Sequence, residues 1–341
     1  MTNEKGRTSA KTCGLHKTIG KENMNYTLMP FRPEHLEQAV ALFVENYRRE
    51  RENNPLLPSR AIDEPQWSRE ILQSFVDNPG VAVMDEKQLV AYMVTGYEFP
   101  FRGQSGVYVP PCCHGSVLRE EKWLYERMYM RLSESWVNNG KHIHIIGHFE
   151  HAPELKDTLY ELGFGAFLCE RIRDLSPLES EYSGVIVQES KPERLLSIHR
   201  EHYLYYREAP IFLAKNVNED DLLSDLQSHE ENGDVFLVAL EQDEPCAYFM
   251  VGKSAASPGE AGAMLQGTNT AQIKSAYARK HARGQGVGQA LLQQAIRWSS
   301  EHGYARLFVE HETANLIGGR FWAKHFSRYL NYSMRYVDNT I

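Results

Sequence analysis

Read for the spacing of its apolar positions, the chain becomes organised at residue 26. Residues 26–31 (Tyr-Thr-Leu-Met-Pro-Phe) predict a strand, and Pro33 suits the first turn of a helix whose apolar face is Leu36, Val40, Phe43 and Tyr47. That helix runs into a charged stretch at 48–52, read as a solvated face, and stops at Asn53-Asn54-Pro55. Residues 67–75 predict a second helix, ended by Asn78-Pro79-Gly80. Two apolar runs, 81–84 and 89–94, flank the polar turn 85–88 and predict a hairpin.

The same order returns later. Residues 235–240, the turn 241–245 and residues 246–252 repeat strand, turn and strand, with Ala91-Tyr92 and Ala247-Tyr248 at matching places. Trp136 to Gly140 followed by a strand at 142–146 parallels Trp298 to Gly303 followed by a strand at 305–310. Residues 159–164 likewise parallel 321–326. A shift of about 155–165 residues, the size of a domain, carries one half onto the other. The pattern predicts an α/β chain of two tandem copies, each a mixed, largely antiparallel sheet flanked by helices. Their expected bounds are 26–176 and 177–341, with a connection near 175–181. Residues 1–25 are polar and lack an apolar secretion core, so they read as a disordered tail.

Composition narrows the setting. At 341 residues, with 42% hydrophobic and 11% aromatic, the chain can bury two cores. A net charge of −8 argues against a nucleic-acid partner. No apolar run approaches the roughly 18 residues of a membrane helix, so no membrane partner is expected. Five cysteines (Cys13, Cys112, Cys113, Cys169, Cys246), an odd number without framework spacing, fit reduced thiols in the cytoplasm. His142, His144, His148 and His151 have no carboxylate or thiol cluster at zinc spacing, so no metal is expected, and His199 with His202 reads the same way. A monomer or homodimer is expected.

The chemistry gathers around residues 278–292. A strand at 272–277 is followed by Arg283-Gly284-Gln285-Gly286-Val287-Gly288-Gln289, and a helical face (Val287, Leu291, Ala295, Trp298) begins at once. Glycines let backbone approach a ligand closely, and a helix start leaves amides unpaired, so this turn predicts a phosphate or pyrophosphate site with Arg283 beside it. Gln289-Ala290 stands where a Walker loop needs Lys-Ser/Thr, and Gln289 where the dinucleotide fingerprint needs its third glycine. In the first copy, residues 107–116 stand at the corresponding place. They carry Pro110-Pro111 and no Gly-x-Gly, leaving little to hold a pyrophosphate.

The spacing Arg283-x-x-Gly286-x-Gly288 resembles the pyrophosphate loop of the GNAT (Gcn5-related N-acetyltransferase) superfamily. The closing run resembles it too: a strand, then Asn315, then Phe321-Trp322-Ala323-Lys324-His325-Phe326. The resemblance is to a tandem type with a degenerate first copy. It implies that acetyl-CoA or another acyl-CoA serves as co-substrate, held by Tyr277, Ala278, Arg279, Arg283, Gly284, Gln285, Gly286, Val287, Gly288, Gln289, Asn315 and Phe321. It implies an N-acyltransferase, with an amine of a small molecule or peptide attacking the thioester directly in a ternary complex. An amide at or near Tyr277 would serve the oxyanion. The alternative is a non-catalytic acyl-CoA-binding sensor or interaction protein. Two departures bear on it: Trp322 stands where many members place an acidic Tyr, and the strand before the loop has no Glu. Glu310 and Glu312, with His311 between them, are the candidate bases; Tyr329, with Tyr332, is the candidate acid.

Overall fold

The computed structural model describes residues 26–101, 103–179, 185–254 and 261–340; the tail expected at 1–25 lies outside them, as does part of the connection near 175–181. The first half runs β1 (Tyr26–Pro30), α1 (Leu36–Asn53), α2 (Arg60–Asp63), α3 (Pro65–Gln73), β2 (Gly80–Asp85), β3 (Gln88–Val94), β4 (Tyr97–Phe101), β5 (Gln104–Val109), β6 (His114–Ser116), α4 (Glu121–Asn138), β7 (Lys141–Phe149), α5 (Pro153–Glu161) and β8 (Gly165–Asp174). The second runs β9 (Val187–Ser190), α6 (Pro192–Tyr205), α7 (Glu219–Glu231), β10 (Val235–Glu241), β11 (Glu244–Lys253), β12 (Thr270–Ala278), α8 (Val287–Glu301), β13 (Arg306–Glu312), α9 (Leu316–His325) and β14 (Ser327–Tyr336). The apolar stripes do what their spacing dictates. Leu36, Val40, Phe43 and Tyr47 of α1 are buried in the first core, and Val287, Leu291, Ala295 and Trp298 of α8 in the second.

The two copies do not keep separate sheets. One sheet of ten strands runs β4-β5-β7-β14-β8-β13-β12-β11-β10-β9, and a smaller one runs β1-β2-β3-β6. The last strand of each copy is exchanged: β8 pairs with β13 of the second copy, and β14 lies between β7 and β8. Tyr329, Leu330 and Tyr332 of β14 therefore belong to the core of the first half. The large sheet thus runs across the connection between β8 and β9, each half completed by a strand of the other.

The first copy's sheet is split where its sequence carries two prolines. Pro110-Pro111 separates β5, which pairs with β7, from β6, which pairs with β3. Proline has no amide to give a ladder, so one continuous strand cannot pass through that pair. In the second copy β12 runs unbroken along β11, with an irregularity between Met250 and Val251. Its parallel pairing with β13 covers only Thr270–Ile273 against Arg306–Val309. Beyond those rungs β12 and β13 part, and the gap between them holds the site.

Candidate functional site

The glycine-rich turn forms as its residue types require. Gly284 (φ +77°) and Gly286 (φ +80°) take the left-handed conformation that other residues resist, and Gly286 caps the start of α8. Gln289 and Ala290 give the first amide bonds of the helix to the Gly286 carbonyl, at 3.0 Å each. The amides of Gly286, Val287 and Gly288 stand ahead of them without an acceptor among the described residues. A Cβ on Gly288 would come within 3.1 Å of the Phe321 ring, so glycine there lets α8 and α9 close on one cleft. Arg283 donates through Nε to the Ala278 carbonyl (2.9 Å). Its guanidinium carbon lies 4.9 Å from the ring centre of Tyr205 and 5.5 Å from that of Tyr277. The guanidinium is thus fixed by stacking at the mouth of the turn. The cleft is about 360 Å³, with Tyr277, Ala278, Gly284, Gly288, Asn315 and Phe321 on its walls.

A second, more polar pocket of about 210 Å³ opens on the α6 and α7 side of the gap between β12 and β13. Ala276, Asn315 and Trp322 line both, so the two meet at one seam. Asn315 is fixed there: its Oδ1 accepts from the Gly318 amide (3.1 Å) as the cap of α9 and from the Tyr205 hydroxyl (3.1 Å). Glu310 reaches the polar pocket from β13. Burial pushes its carboxyl up to about 8, with the charges of Glu170 and Glu312 adding to the rise. Glu170 is directly opposite it on β8, wholly buried, and accepts from the Tyr329 and Tyr332 hydroxyls and from the Gly262 amide at 2.9 Å. Burial also raises the carboxyl of Glu312, which faces the Tyr206 hydroxyl.

Behind the pocket, the Tyr248 hydroxyl is shared by His199 Nδ1 (2.7 Å), His202 Nδ1 (2.9 Å) and Ser275 Oγ (2.9 Å). Burial lowers both histidines, His199 to about 4. They are neutral members of a buried hydrogen-bonded group, and among the described residues no cluster of metal-ligating side chains occurs. His144 and His148, lowered to about 4 by burial, bond Tyr129 and Ser333 respectively.

The structure sorts the remaining expected residues. The Arg279 side chain turns to Glu201 (2.9 and 3.2 Å) and its amide to the Cys246 carbonyl, so neither faces the cleft. Gln285 is exposed and gives its side-chain amide to the His281 carbonyl, and the Val287 side chain is in the core, leaving only backbone to offer. Tyr329 lines neither pocket. It is fully buried against Glu170 in the first half's core, so it drops out as a proton donor to a ligand. His311 also withdraws as a base: its Nε2 accepts from Arg171 Nε at 3.1 Å, and burial lowers it to about 4. Trp322 is buried against Phe249, Phe321 and Phe326. Lys215 and Asp225, both on the polar pocket, escaped sequence reading because they lie in a connection and on an acidic helix that carry no motif.

Comparison with known proteins places this geometry. Residues 195–326 match the family model described as Acetyltransferase (GNAT) family. No curated protein sequence matches the chain. Among solved structures, a GCN5-related N-acetyltransferase from Sphaerobacter thermophilus is 14% identical with a TM-score of 0.55, over 91% of this chain and 95% of that one. A fungal GCN5-related glucosamine N-acetyltransferase region within a multi-domain GH3 β-N-acetylglucosaminidase is 13% identical with a TM-score of 0.55. That alignment covers 92% of this chain and 38% of the fungal one. At such identities the likeness is one of fold.

Proposed function

We propose that this chain, whose residues 195–326 belong to the acetyltransferase (GNAT) family and whose two halves share that family's fold, transfers an acyl group from acyl-CoA to an amine, most simply acetyl from acetyl-CoA. The supporting observation is a bare helix start, bounded by Arg283, opening into a cleft that joins a second pocket bearing Glu310. The unclaimed amides of Gly286, Val287 and Gly288, the positive end of α8 and Arg283 suit a diphosphate. Bound acyl-CoA would supply an activated thioester. Phe321 and Tyr277 would flank its pantetheine arm.

Glu310 takes the proton that an attacking amine must lose, directly or through a water. A base must be a carboxylate to act, and a carboxyl raised to about 8 becomes one as pH climbs through that value. Beyond Ile273, β12 has no paired strand on its β13 side among the described residues, so the amides that point that way can serve charge developing on the thioester oxygen. Trp322 has no acidic proton to give the departing thiolate; a phenol at the seam is Tyr205, whose hydroxyl is hydrogen-bonded to Asn315.

The test is turnover. Acetyl-CoA with a panel of small primary amines should release free CoA and yield N-acetylated amine. The second reading, an acyl-CoA-binding protein without catalysis, is favoured by Trp322 at the place of an acidic Tyr. It predicts a thermal shift with acetyl-CoA and no CoA release with any amine.

A further inference from the structure

The polar pocket already holds an ammonium group, and it is the chain's own. Lys215, in the connection between α6 and α7, places its Nζ 4.1 Å from the ring centre of Tyr206 and 5.1 Å from that of Tyr203. Its charge acts on both Glu310 and Glu312, drawing their carboxyls down against the burial that pushes them up. The backbone there is tied by Arg207 Nη2 to the Lys215 carbonyl at 2.8 Å, while the side chain reaches inward to the pocket wall. A second observation marks the same space as a ligand site. His199 Nε2, on a side chain only 1% exposed, has no hydrogen-bond partner among the described residues, and the nearest carboxylate, Asp225 Oδ2, is 3.8 Å away. A buried polar atom left open on a pocket wall is one that a bound ligand or water can satisfy.

We propose that the acceptor enters this pocket by an alkyl-ammonium arm, that Tyr203, Tyr206 and the carboxylates of Glu310 and Glu312 form its aromatic–acidic box, and that Lys215 is a self-supplied occupant which the acceptor displaces. This rests on the acyl-transfer reading above. Ring faces attract a cation, and carboxylates on the same wall exclude an anion of similar shape. At about 210 Å³ the pocket is below the roughly 300–1,000 Å³ of sites that engulf drug-sized ligands, so it takes a short arm. Within it one proton of the ammonium passes to Glu310, and the freed lone pair forms the N–C bond. The C–S pair leaves on sulfur, and the second nitrogen proton ends on that sulfur or in water. Lys215, while in place, competes for the box and lowers the apparent affinity for the acceptor.

The experiment compares 1,4-diaminobutane with 4-aminobutanoate, which replaces one ammonium by a carboxylate, in steady-state acetylation by the full chain. Lys215→Met keeps the stem and removes the charge. It should lower KM for the diamine about tenfold and leave the Kd for acetyl-CoA within about twofold, while the pH profile of kcat moves to higher pH because the charge that draws the Glu310 carboxyl down is gone. Tyr206→Leu should move the same KM upward by about tenfold. Butyltrimethylammonium, which cannot be acetylated, should compete with the diamine on the unaltered protein, an arm that needs no variant. The proposal is overturned if Lys215→Met raises KM for 4-aminobutanoate, which would make Lys215 a carboxylate-binding group. It is overturned equally if butyltrimethylammonium fails to compete. Acetylation of uncharged amines alone, with acetyl-CoA bound normally, sinks the box and spares the transferase. Failure of acetyl-CoA to bind, with no CoA released by any amine, sinks the transferase reading itself.

Discussion

The two copies meet the same structural problem at the same rung and solve it differently. In the second, Ile273 against Val309 is the last parallel rung before the strands part, and the next residue on β13 is Glu310. In the first, Val109 against Ile146 is the last rung, and the next residue is Gly147. A Cβ on Gly147 would lie 3.0 Å from the Tyr108 hydroxyl and 3.2 Å from Pro111, so the space that Glu310 looks into is filled there by the chain itself. The helix starts differ in the same sense. Eight residues (279–286) connect β12 to α8, whereas four (117–120) connect β6 to α4. At the head of α4 the Glu121 carboxyl is buried and accepts from Ser116 Oγ at 3.2 Å. Its burial raises it, and the Ser116 hydroxyl, the Arg49 charge and the Leu155 amide hold the rise in check. One copy leaves its helix dipole open to a foreign anion; the other closes it with a carboxyl of its own. A shared fold does not carry a shared site.

That contrast can be broken in four places. Glu310→Gln should lower kcat/KM by about 10²–10⁴, the usual worth of a positioned base, and flatten the pH profile. The unaltered protein should gain activity as pH rises through about 8, where the buried carboxyl ionises; a profile identical in the variant would remove Glu310 from the chemistry. Gly286→Glu forces a non-glycine residue to φ +80° and aims a carboxylate at the diphosphate. Like charge at a binding surface costs several kcal/mol, so the Kd for acetyl-CoA should rise by about 100-fold or more. Arg283→Ala removes one charge-assisted contact, worth about 1.5–3 kcal/mol, and should weaken acetyl-CoA by roughly 10- to 100-fold in the same titration. The smallest effect is expected in the first copy. Leu118 is 60% exposed in the short turn before α4, and Leu118→Glu should leave the Kd for acetyl-CoA unchanged within about twofold.

Much of this was legible in residue order. The repeat showed because strand–turn–strand and the closing helix recur with one shift, and the glycine turn because backbone at positive φ constrains residue type. The helix expected at 67–75 lies at Pro65–Gln73. What could not be read was long-range. Expected at residues 107–116, the counterpart of the glycine turn proves to be 117–120, since Gly115 pairs with Tyr92 as Tyr277 pairs with Tyr248. β8 buries Glu170, Arg171 and Arg173, a pattern that reads as a surface strand until β14 and β13 from the other half supply its partners. Tyr329 resembled a free phenol because nothing local reveals that its partner is Glu170, far back in the chain. Tyr160, parallel to Trp322 in the repeat, is 78% exposed and lines neither the cleft nor the polar pocket.

Calorimetric titration of the full chain with acetyl-CoA bears most directly on the difference between the two helix starts. The account predicts a single binding event per chain, lost in Gly286→Glu and preserved in Leu118→Glu. Two equivalents bound, or one that survives Gly286→Glu and vanishes with Leu118→Glu, would contradict it.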